Sequence, residues 1–258
     1  MPSPSQARNE RITALRVAVR AIEAEGVRCG QGHLPFGLAA IDRRLEGSGL
    51  ALAALHECAG MHSGLADEAA ASLFLAALAA RRAGGSGTVL WALGRRDLFA
   101  PALAQVGLCP ERLLYAECGS DEDVLAVMEE GLRHGGLAAV VGEVRRVQMA
   151  ATRRLQLAAE QGGTLALMLK RWRRQADDPL TLPSAARTRW RIGCLPSAEL
   201  PVPGVGRPRW HLVLARQRGG EPSEWIVESP DATSRLALPA LPSHRPSAAD
   251  RGEERRAA

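Results

Sequence analysis

The stretch Leu50-Ala51-Leu52-Ala53-Ala54-Leu55, followed closely by Ala59-Gly60-Met61-His62-Ser63-Gly64, decides how this sequence folds. The apolar first run predicts a buried strand, and the glycine-bearing second run predicts a turn. Residues 69–80 are rich in alanine and leucine and contain neither glycine nor proline, which favours a helix. A buried strand, a glycine-bearing loop and a helix is the layout of a phosphate-binding P-loop.

The residues of the turn depart from the P-loop signature G-x-x-x-x-G-K-[ST]. The best register begins at Ala59, includes Gly60 and keeps the second glycine as Gly64. Leu65 and Ala66 then occupy the lysine and hydroxyl positions. In a working P-loop the lysine reaches the β- and γ-phosphates and the hydroxyl group holds Mg²⁺. Leu65 and Ala66 can do neither. The sequence therefore predicts either a degenerate site without a cofactor, or a strand, turn and helix that never formed a P-loop.

Charged residues near this turn do not restore the missing chemistry. Lys170 is the only lysine in the sequence, although an arginine could enter from another loop or another chain. Asp67 and Glu68 follow the turn and suit the positive end of a helix dipole. The same carboxylates would repel a phosphate placed at that helix end. We therefore expect no catalytic residues in this stretch.

Composition narrows the class of protein. With 258 residues, of which 46% are apolar, the chain can bury the core of one α/β domain with extensions. The formal net charge of +5 permits binding to nucleic acid or another acidic partner, but arginine richness can also reflect genome composition. No apolar run approaches the roughly 18 residues of a membrane span, and residues 1–10 lack the apolar region of a signal peptide.

The cysteine pattern indicates reduced thiols. The chain has five cysteines, an odd number, and none of them follows C-x-x-C spacing. We therefore expect a cytoplasmic protein without disulfides. His56, Cys58 and His62 lie close in the sequence, but no second pair of ligands follows them, so no metal site is predicted.

Hydrophobic periodicity divides the chain into three parts. Residues 1–30 contain an amphipathic helix over residues 7–25, which either packs on the core or docks a partner. Four apolar residues recur in that helix at helical spacing: Ile12, Leu15, Val19 and Ile22. Residues 31–238 are the predicted core domain. Residues 239–258, rich in proline, serine, alanine and charge, are a predicted disordered tail.

The core alternates strand and helix patterns, which predicts an α/β fold. Strand-like apolar runs occupy residues 88–93, 113–116, 137–141 and 164–169. Helical patterns lie between them at residues 97–105, 121–133 and 150–161. This alternation predicts a mostly parallel central sheet flanked by helices. Strand patterns at residues 188–195, 209–216 and 224–227, the last two joined at Arg218-Gly219-Gly220, predict an antiparallel C-terminal extension.

A second position also bears on nucleotide chemistry. In a P-loop enzyme, a strand like that at residues 137–141 ends in an aspartate that orders Mg²⁺. Gly142 stands at that position here, and Glu143 follows it. Glu143 is then either the acid that orders Mg²⁺, displaced by one residue along the chain, or a solvated residue of a loop.

A basic segment follows the strand at residues 164–169. It consists of Lys170, Arg171, Trp172, Arg173 and Arg174. Arginines around a tryptophan suit backbone contacts with nucleic acid combined with base stacking. The alternative is a solvated basic helix end with Trp172 half buried. The segment is a candidate contact for single-stranded DNA or for a protein partner.

Residues from both ends of the core carry a family likeness. The first group is Leu34-Pro35-Phe36-Gly37-Leu38-Ala39-Ala40-Ile41-Asp42, Gly47-Ser48-Gly49-Leu50 and Leu55-His56-Glu57. The second group is Arg189-Trp190-Arg191-Ile192-Gly193, Arg209-Trp210-His211-Leu212-Val213-Leu214 and Trp225-Ile226-Val227. These groups resemble the opening and closing segments of a RecA-type core. Over residues 34–229 the sequence is similar to the ImuA family.

The resemblance implies a RecA-like core and a role in DNA repair, as an accessory protein of error-prone translesion synthesis in the SOS response. It also implies three partners: an ImuB-type Y-family-like protein, an error-prone replicative-type DNA polymerase alpha subunit, and RecA. Compared with a working RecA, Leu65, Ala66 and Gly142 replace the P-loop lysine, the hydroxyl residue and the strand-end aspartate. Leu93-Gly94-Arg95-Arg96 stands where RecA-type ATPases place a catalytic glutamate. The resemblance therefore implies a protein that does not hydrolyse ATP.

Two other functions stay open on the sequence alone. One is an ATPase with an atypical site that uses Arg95, Arg96 or Glu143. The other is a cell-division inhibitor of the SulA type, since SulA-like is an older label for such proteins.

Overall fold

The computed structural model describes residues 32–198, residue 200 and residues 203–239. The predicted helix over residues 7–25 lies outside the described residues, and so do residues 240–258 of the predicted tail. The division of the chain at residues 30 and 239 therefore stays a prediction.

Strands and helices alternate along the described chain. The strands are β1 (His33–Leu34), β2 (Leu50–Ala51), β3 (Leu55–Gly60), β4 (Val89–Leu93), β5 (Leu113–Glu117), β6 (Ala139–Val144), β7 (Leu165–Lys170), β8 (Thr188–Leu195), β9 (Arg209–Gln217) and β10 (Ser223–Glu228). The α-helices are α1 (Ala39–Asp42), α2 (Leu65–Ala83), α3 (Ala100–Gln105), α4 (Asp121–His134) and α5 (Met149–Gly162). Short 3₁₀ turns lie at Glu46–Ser48 and Pro110–Arg112.

Eight of these strands form one sheet in the order β10-β9-β8-β3-β7-β6-β4-β5. The strands from β3 to β8 pair in parallel, whereas β9 runs antiparallel to both β8 and β10. The predicted mostly parallel sheet with an antiparallel C-terminal extension is therefore confirmed. Because β3 lies between β7 and β8, the turn that follows β3 opens near the middle of the carboxyl edge of the parallel strands.

Helices cover both faces of the sheet and bury two apolar clusters. On one face, α2 packs an alanine- and leucine-rich surface around Phe36, Phe74 and Trp190, whose ring centroids lie 5.5 to 6.0 Å apart. On the other face, α4 and α5 cover Val140 and Val144 of β6 and Ala166 and Met168 of β7. Ser120 caps α4, since the backbone N–H of Asp123 donates to Ser120 Oγ at 3.1 Å. Within the described ranges, no helix has the length and apolar character needed to cross a bilayer.

The predicted position of the first strand was wrong. Leu50 and Ala51 belong to β2, which pairs with β1 in a separate two-stranded sheet, and the central strand is β3. The prediction failed because β3 contains His56 and Glu57, and a buried strand was expected to be apolar. Both side chains are buried in β3 with polar partners. His56 Nδ1 lies 2.7 Å from Thr188 Oγ1, and Glu57 accepts from Arg189 Nε at 2.8 Å.

The strand near Gly142 was also predicted too short. β6 continues to Val144, so Gly142 and Glu143 lie inside a buried strand and not at its end. Similarly, Lys170, which was predicted to follow the strand at residues 164–169, is the last residue of β7. These shifts change the environment of three candidate site residues, because side chains of a central strand face the helices and not solvent.

Candidate functional site

The turn after β3 has the strand, turn and helix arrangement that the sequence predicts. Ala59 and Gly60 are the last residues of β3, and α2 begins at Leu65 directly after Gly64. The backbone fits closely at Gly60, where an added Cβ would lie 3.0 Å from the His62 carbonyl oxygen. Leu65 is 85% exposed, so an apolar side chain projects into solvent from the position of the P-loop lysine.

Asp67 closes the turn from within the first turn of α2. Its Oδ2 accepts from the backbone N–H of His62 at 3.0 Å and lies 2.8 Å from His62 Nδ1. Its Oδ1 accepts from the backbone N–H of Cys194 at 2.7 Å, on the neighbouring strand β8. Asp67 is buried. One carboxylate thus occupies the concave side of the turn, where a phosphate group would receive backbone N–H groups.

Glu68 connects the same helix end to the segment after β7. Its Oε1 accepts from the backbone N–H of Trp172 at 2.9 Å, and its Oε2 accepts from Arg171 Nη1 at 3.1 Å. The Trp172 indole Nε1 donates to the Gly60 carbonyl oxygen at 3.0 Å. The residues after β7 therefore lie across the turn and are held there by both backbone and side-chain hydrogen bonds.

Arg171 and Glu143 are buried at the centre of a group of charges that we call the Arg171 network. It comprises Arg171, Glu68, Glu143 and Asp97. Glu143 Oε2 accepts from Arg171 Nε at 2.9 Å and from Nη2 at 2.8 Å, while Glu143 Oε1 accepts from Trp91 Nε1 at 2.8 Å. Burial disfavours the charged guanidinium, but the carboxylates of Glu143 and Glu68 outweigh this effect and raise the pKa of Arg171. Arg171 thus stays charged in the interior.

The positions that would order magnesium do not provide free ligands. Gly142 has close neighbours, since a Cβ there would lie 2.1 Å from the Met128 sulfur. Glu143 is 5% exposed, which corrects the expectation of a solvated loop residue. Both of its carboxylate oxygens already accept hydrogen bonds. Binding a metal through Glu143 would require breaking the Arg171 network, which leaves a buried cation without its partner.

The structure divides the predicted basic segment into two parts. Lys170 is 1% exposed and Arg171 is 9% exposed, so neither presents its charge to solvent. Burial lowers the pKa of Lys170, partly offset by the nearby carboxylate of Glu57. Arg173 and Arg174 are exposed. The interpretation of residues 170–174 as one continuous contact surface is therefore corrected to its second half.

Two arginines that the sequence analysis did not single out lie beside Arg173. Arg145 and Arg146 follow β6 directly, and together with Arg173 they line a pocket of about 210 Å³ at the carboxyl edge of the sheet. We call these three residues the arginine patch. Their positions are fixed because the backbone N–H groups of Arg145 and Arg146 donate to Asp121 Oδ2 at 3.0 and 3.1 Å.

The arginine patch differs from Arg171, whose charge is neutralised by ion pairs with carboxylates. All three side chains belong to exposed residues, and in the described part of the chain none of them forms an ion pair. Asp177 and Asp178 also line the pocket; the Asp178 carboxylate pairs with Arg191 at 2.5 Å, whereas Asp177 is exposed beside the patch. The doublet after a strand was visible in the sequence, but only the structure brings it next to Arg173.

The histidine and cysteine side chains near the turn do not point towards a common site. His56 is buried, with its Nε2 2.8 Å from the Ala51 carbonyl oxygen, and burial lowers the pKa of His56 to about 4. Cys58 is also buried, which raises the pKa of its thiol. Within residues 32–198, 200 and 203–239, no group of three or more His, Cys, Asp or Glu side chains could hold a metal ion.

Comparison with known proteins finds two similar sequences that cover most of the chain. Protein ImuA from Caulobacter vibrioides strain NA1000 / CB15N is 37% identical over 217 residues, which cover 80% of this chain and 87% of that protein. Protein ImuA from strain ATCC 19089 / CIP 103742 / CB 15 of the same species gives the same values. No family model matches the sequence.

Among solved structures, SulA from Pseudomonas aeruginosa is similar with 24% sequence identity and a TM-score of 0.38. The match covers 45% of this chain and 96% of SulA. A similarity of this size carries no argument about function.

Proposed function

Because this chain belongs to the ImuA family, we propose that it is a non-catalytic accessory protein of damage-induced, error-prone translesion DNA synthesis. In this proposal its core is RecA-like, with a degenerate P-loop between β3 and α2. The central position of β3 and the helix that follows its turn support this interpretation. The protein acts by holding partners and not by turning over a nucleotide.

The observation that carries the proposal is the set of contacts made by Asp67 and Glu68. These carboxylates lie at the N-terminal end of α2, the position where a P-loop protein holds phosphate groups. Asp67 accepts hydrogen bonds from the backbone N–H groups of His62 and Cys194, and Glu68 accepts one from the backbone N–H of Trp172. The chain's own carboxylates therefore lie where a phosphate would bind, and Asp67 accepts from one N–H of the turn, that of His62.

Electrostatics oppose a nucleotide at the same place. Two like unit charges about 4 Å apart repel by about 4 kcal/mol at the effective dielectric constant near a protein surface. A triphosphate beside Asp67 and Glu68 carries several such charges. The cation that could offset them, Arg171, already pairs with Glu68 and Glu143. Opening the site would break these pairs and leave buried charges uncompensated.

The proposed partners follow from the family. They are an ImuB-type Y-family-like protein, an error-prone replicative-type DNA polymerase alpha subunit, and RecA. We also propose that single-stranded DNA contacts the arginine patch. This replaces the earlier assignment to residues 170–174, because Lys170 and Arg171 are buried and the Trp172 indole is anchored to Gly60. Exposed arginines that form no ion pair in the described part of the chain suit phosphate contacts.

Complementation in the source bacterium tests the role. Cells that lack the gene should lose damage-induced mutations, and the intact gene should restore them. A chain carrying Arg145→Gln, Arg146→Gln and Arg173→Gln should restore fewer. The matched control carries Arg43→Gln, Arg44→Gln and Arg218→Gln, three exposed arginines outside the patch, and should restore fully.

Overproduction without DNA damage separates this role from that of a division inhibitor. The proposal expects cells of normal length. Filamentous cells under these conditions, combined with unchanged mutation frequency in the deletion strain, would overturn the proposed function.

A further inference from the structure

A mostly apolar groove runs along the first half of α2; its lining also includes the charged residues Glu68, Arg95, Asp97, Arg171, Arg207 and Asp231. Its floor is made of Ala66, Ala69 and Leu73, and α3 forms one wall with Ala102. Two cavities of about 390 and 530 Å³ share Ala69, Leu73 and Ala102, so they form one continuous depression. We call it the alanine groove. On the side away from α3, Pro208, Trp210 and Pro230 line it.

Large apolar side chains at the alanine groove are exposed. Leu65 and Phe99 line its open end and are 85% and 66% exposed. Ala66 and Ala69 are exposed along the floor. Small floor residues between larger apolar rims allow a helix to approach the backbone of α2 closely. An amphipathic helix in an apolar groove is a common way to cover such a surface.

The chain itself contains a segment of the right kind outside the described residues. In residues 7–25 the apolar residues Ile12, Leu15, Val19 and Ile22 recur at spacings of three and four, with charged residues between them. As a helix, the stripe from Ile12 to Ile22 would extend about 15 Å, at about 1.5 Å per residue. The groove floor from Leu65 to Leu73 extends about 12 Å along α2 on the same scale. The two lengths match.

A linker, residues 26–31, joins the amphipathic segment to the described chain. The described chain begins at Gly32, and by Phe36 it lies beside α2, where the Phe36 and Phe74 ring centroids are 6.0 Å apart. Phe74 directly follows Leu73, a floor residue. Residues 26–31 add up to about 20 Å of chain when extended. We therefore propose that residues 8–25 of the same chain form a helix that lies in the alanine groove.

In this arrangement the apolar stripe covers the floor and the exposed Leu65 and Phe99, and the arginines of residues 8–25 face solvent. The helix then belongs to the fold and not to a partner interface. The proposal goes beyond the accessory role and does not depend on it, because it concerns only how the chain covers its own surface.

Cys194 reports directly on the groove, because it lines the groove and is exposed in the described part of the chain. The experiment uses the full chain with Cys29→Ser, Cys109→Ser and Cys118→Ser, which leaves Cys194 and the buried Cys58. The measured quantity is the rate at which a maleimide alkylates Cys194. A docked helix shields the thiol, so alkylation should be slow.

Two variants should release the helix and raise the rate about tenfold or more, since alkylation then no longer waits for local opening. Ala69→Arg fills the groove, and its control is Ala104→Arg at an exposed position of α3 outside the groove. Leu15→Asp with Val19→Asp disrupts the stripe, and its control is Arg16→Asp with Arg20→Asp on the polar face. Both controls should leave the rate unchanged.

The result that overturns the proposal is equal alkylation in the reference chain, Ala69→Arg and the stripe variant. An increase in Ala69→Arg without one in the stripe variant also overturns it, because another segment would then be the occupant. If the shielding of Cys194 falls on dilution, the helix comes from a second copy and the same-chain assignment is wrong. Shielding independent of protein concentration supports it.

Discussion

Arg171 and Arg173 are two residues apart, yet their environments differ completely. Arg171 is buried among the carboxylates of Glu68, Glu143 and Asp97, whereas Arg173 is exposed next to Arg145 and Arg146. The local sequence does not distinguish them. The difference comes from β6 and α2, which bring acidic residues to one and basic residues to the other. One half of the carboxyl edge is therefore closed by internal ion pairs, and the other is open and positive.

The two halves of the carboxyl edge therefore differ in how their charges are neutralised. In the Arg171 network, charges satisfy one another and hold the turn after β3 shut. In the arginine patch, no ion pair between described residues neutralises the guanidinium groups. The predictions below test this difference, beginning with the largest expected change in stability.

Removal of the buried cation should have the largest effect. Arg171→Ala leaves Glu143 buried without its partner, and we expect the free energy of unfolding to fall by about 3 to 5 kcal/mol. Arg173→Ala is the matched control and should change it by less than about 0.5 kcal/mol. Urea denaturation of both variants measures the difference. Similar values for the two variants would show that the Arg171 network does not stabilise the fold.

Acid should also destabilise the protein, through His56, a buried polar residue near the start of β3. Its pKa of about 4 in the folded chain lies below the value of about 6.5 expected after unfolding. The unfolded state therefore binds the extra proton first, and stability is lost as the pH falls from 6.5 towards 4. The loss from this residue should reach about 3 kcal/mol at pH 4.

Urea denaturation at a series of pH values measures this dependence. Carboxylates also contribute to it, so the informative quantity is the difference between the natural chain and His56→Gln. The natural chain should lose more stability than the variant across this range. Parallel curves for the two proteins would contradict the assignment of a neutral, buried imidazole.

The hydrogen bond that anchors Trp172 to the turn should have a smaller effect. Trp172→Phe removes the donor to the Gly60 carbonyl oxygen and keeps an aromatic ring, so the expected loss is about 1 kcal/mol. Hydrogen exchange at residues 60–64 should increase in the same variant, because the turn loses one of its restraints. Unchanged exchange would mean that Trp172 does not hold the turn closed.

The open half should show almost no effect on stability but a clear effect on DNA binding. Arg145→Gln, Arg146→Gln and Arg173→Gln together should change stability by less than about 0.5 kcal/mol per site. Fluorescence anisotropy with a single-stranded oligonucleotide should show a salt dependence weaker by about 2 units of slope, at about 0.7 per lost phosphate contact. Equal slopes for this variant and the natural chain would remove the patch as a DNA contact.

The general fold could be predicted because apolar periodicity and turn residues alternate clearly from residue 88 to residue 195. The central strand could not be placed, because His56 and Glu57 are buried through partners on β8, and sequence patterns do not reveal long-range partners. The same limit applies to the basic segment: Arg171 is buried only because Glu68 and Glu143 lie around it. By contrast, the absence of the P-loop lysine and hydroxyl residue is visible directly at Leu65 and Ala66.

Titration calorimetry with Mg-ATP, combined with a phosphate-release assay, tests the closed turn most directly. With Asp67, Glu68 and Arg171 paired inside the protein, we expect no saturable heat at millimolar nucleotide and no phosphate release above the rate without protein. Saturable binding or turnover by the pure chain, lost on Arg95→Ala or Glu143→Gln, would contradict the account and identify an ATPase with an atypical site.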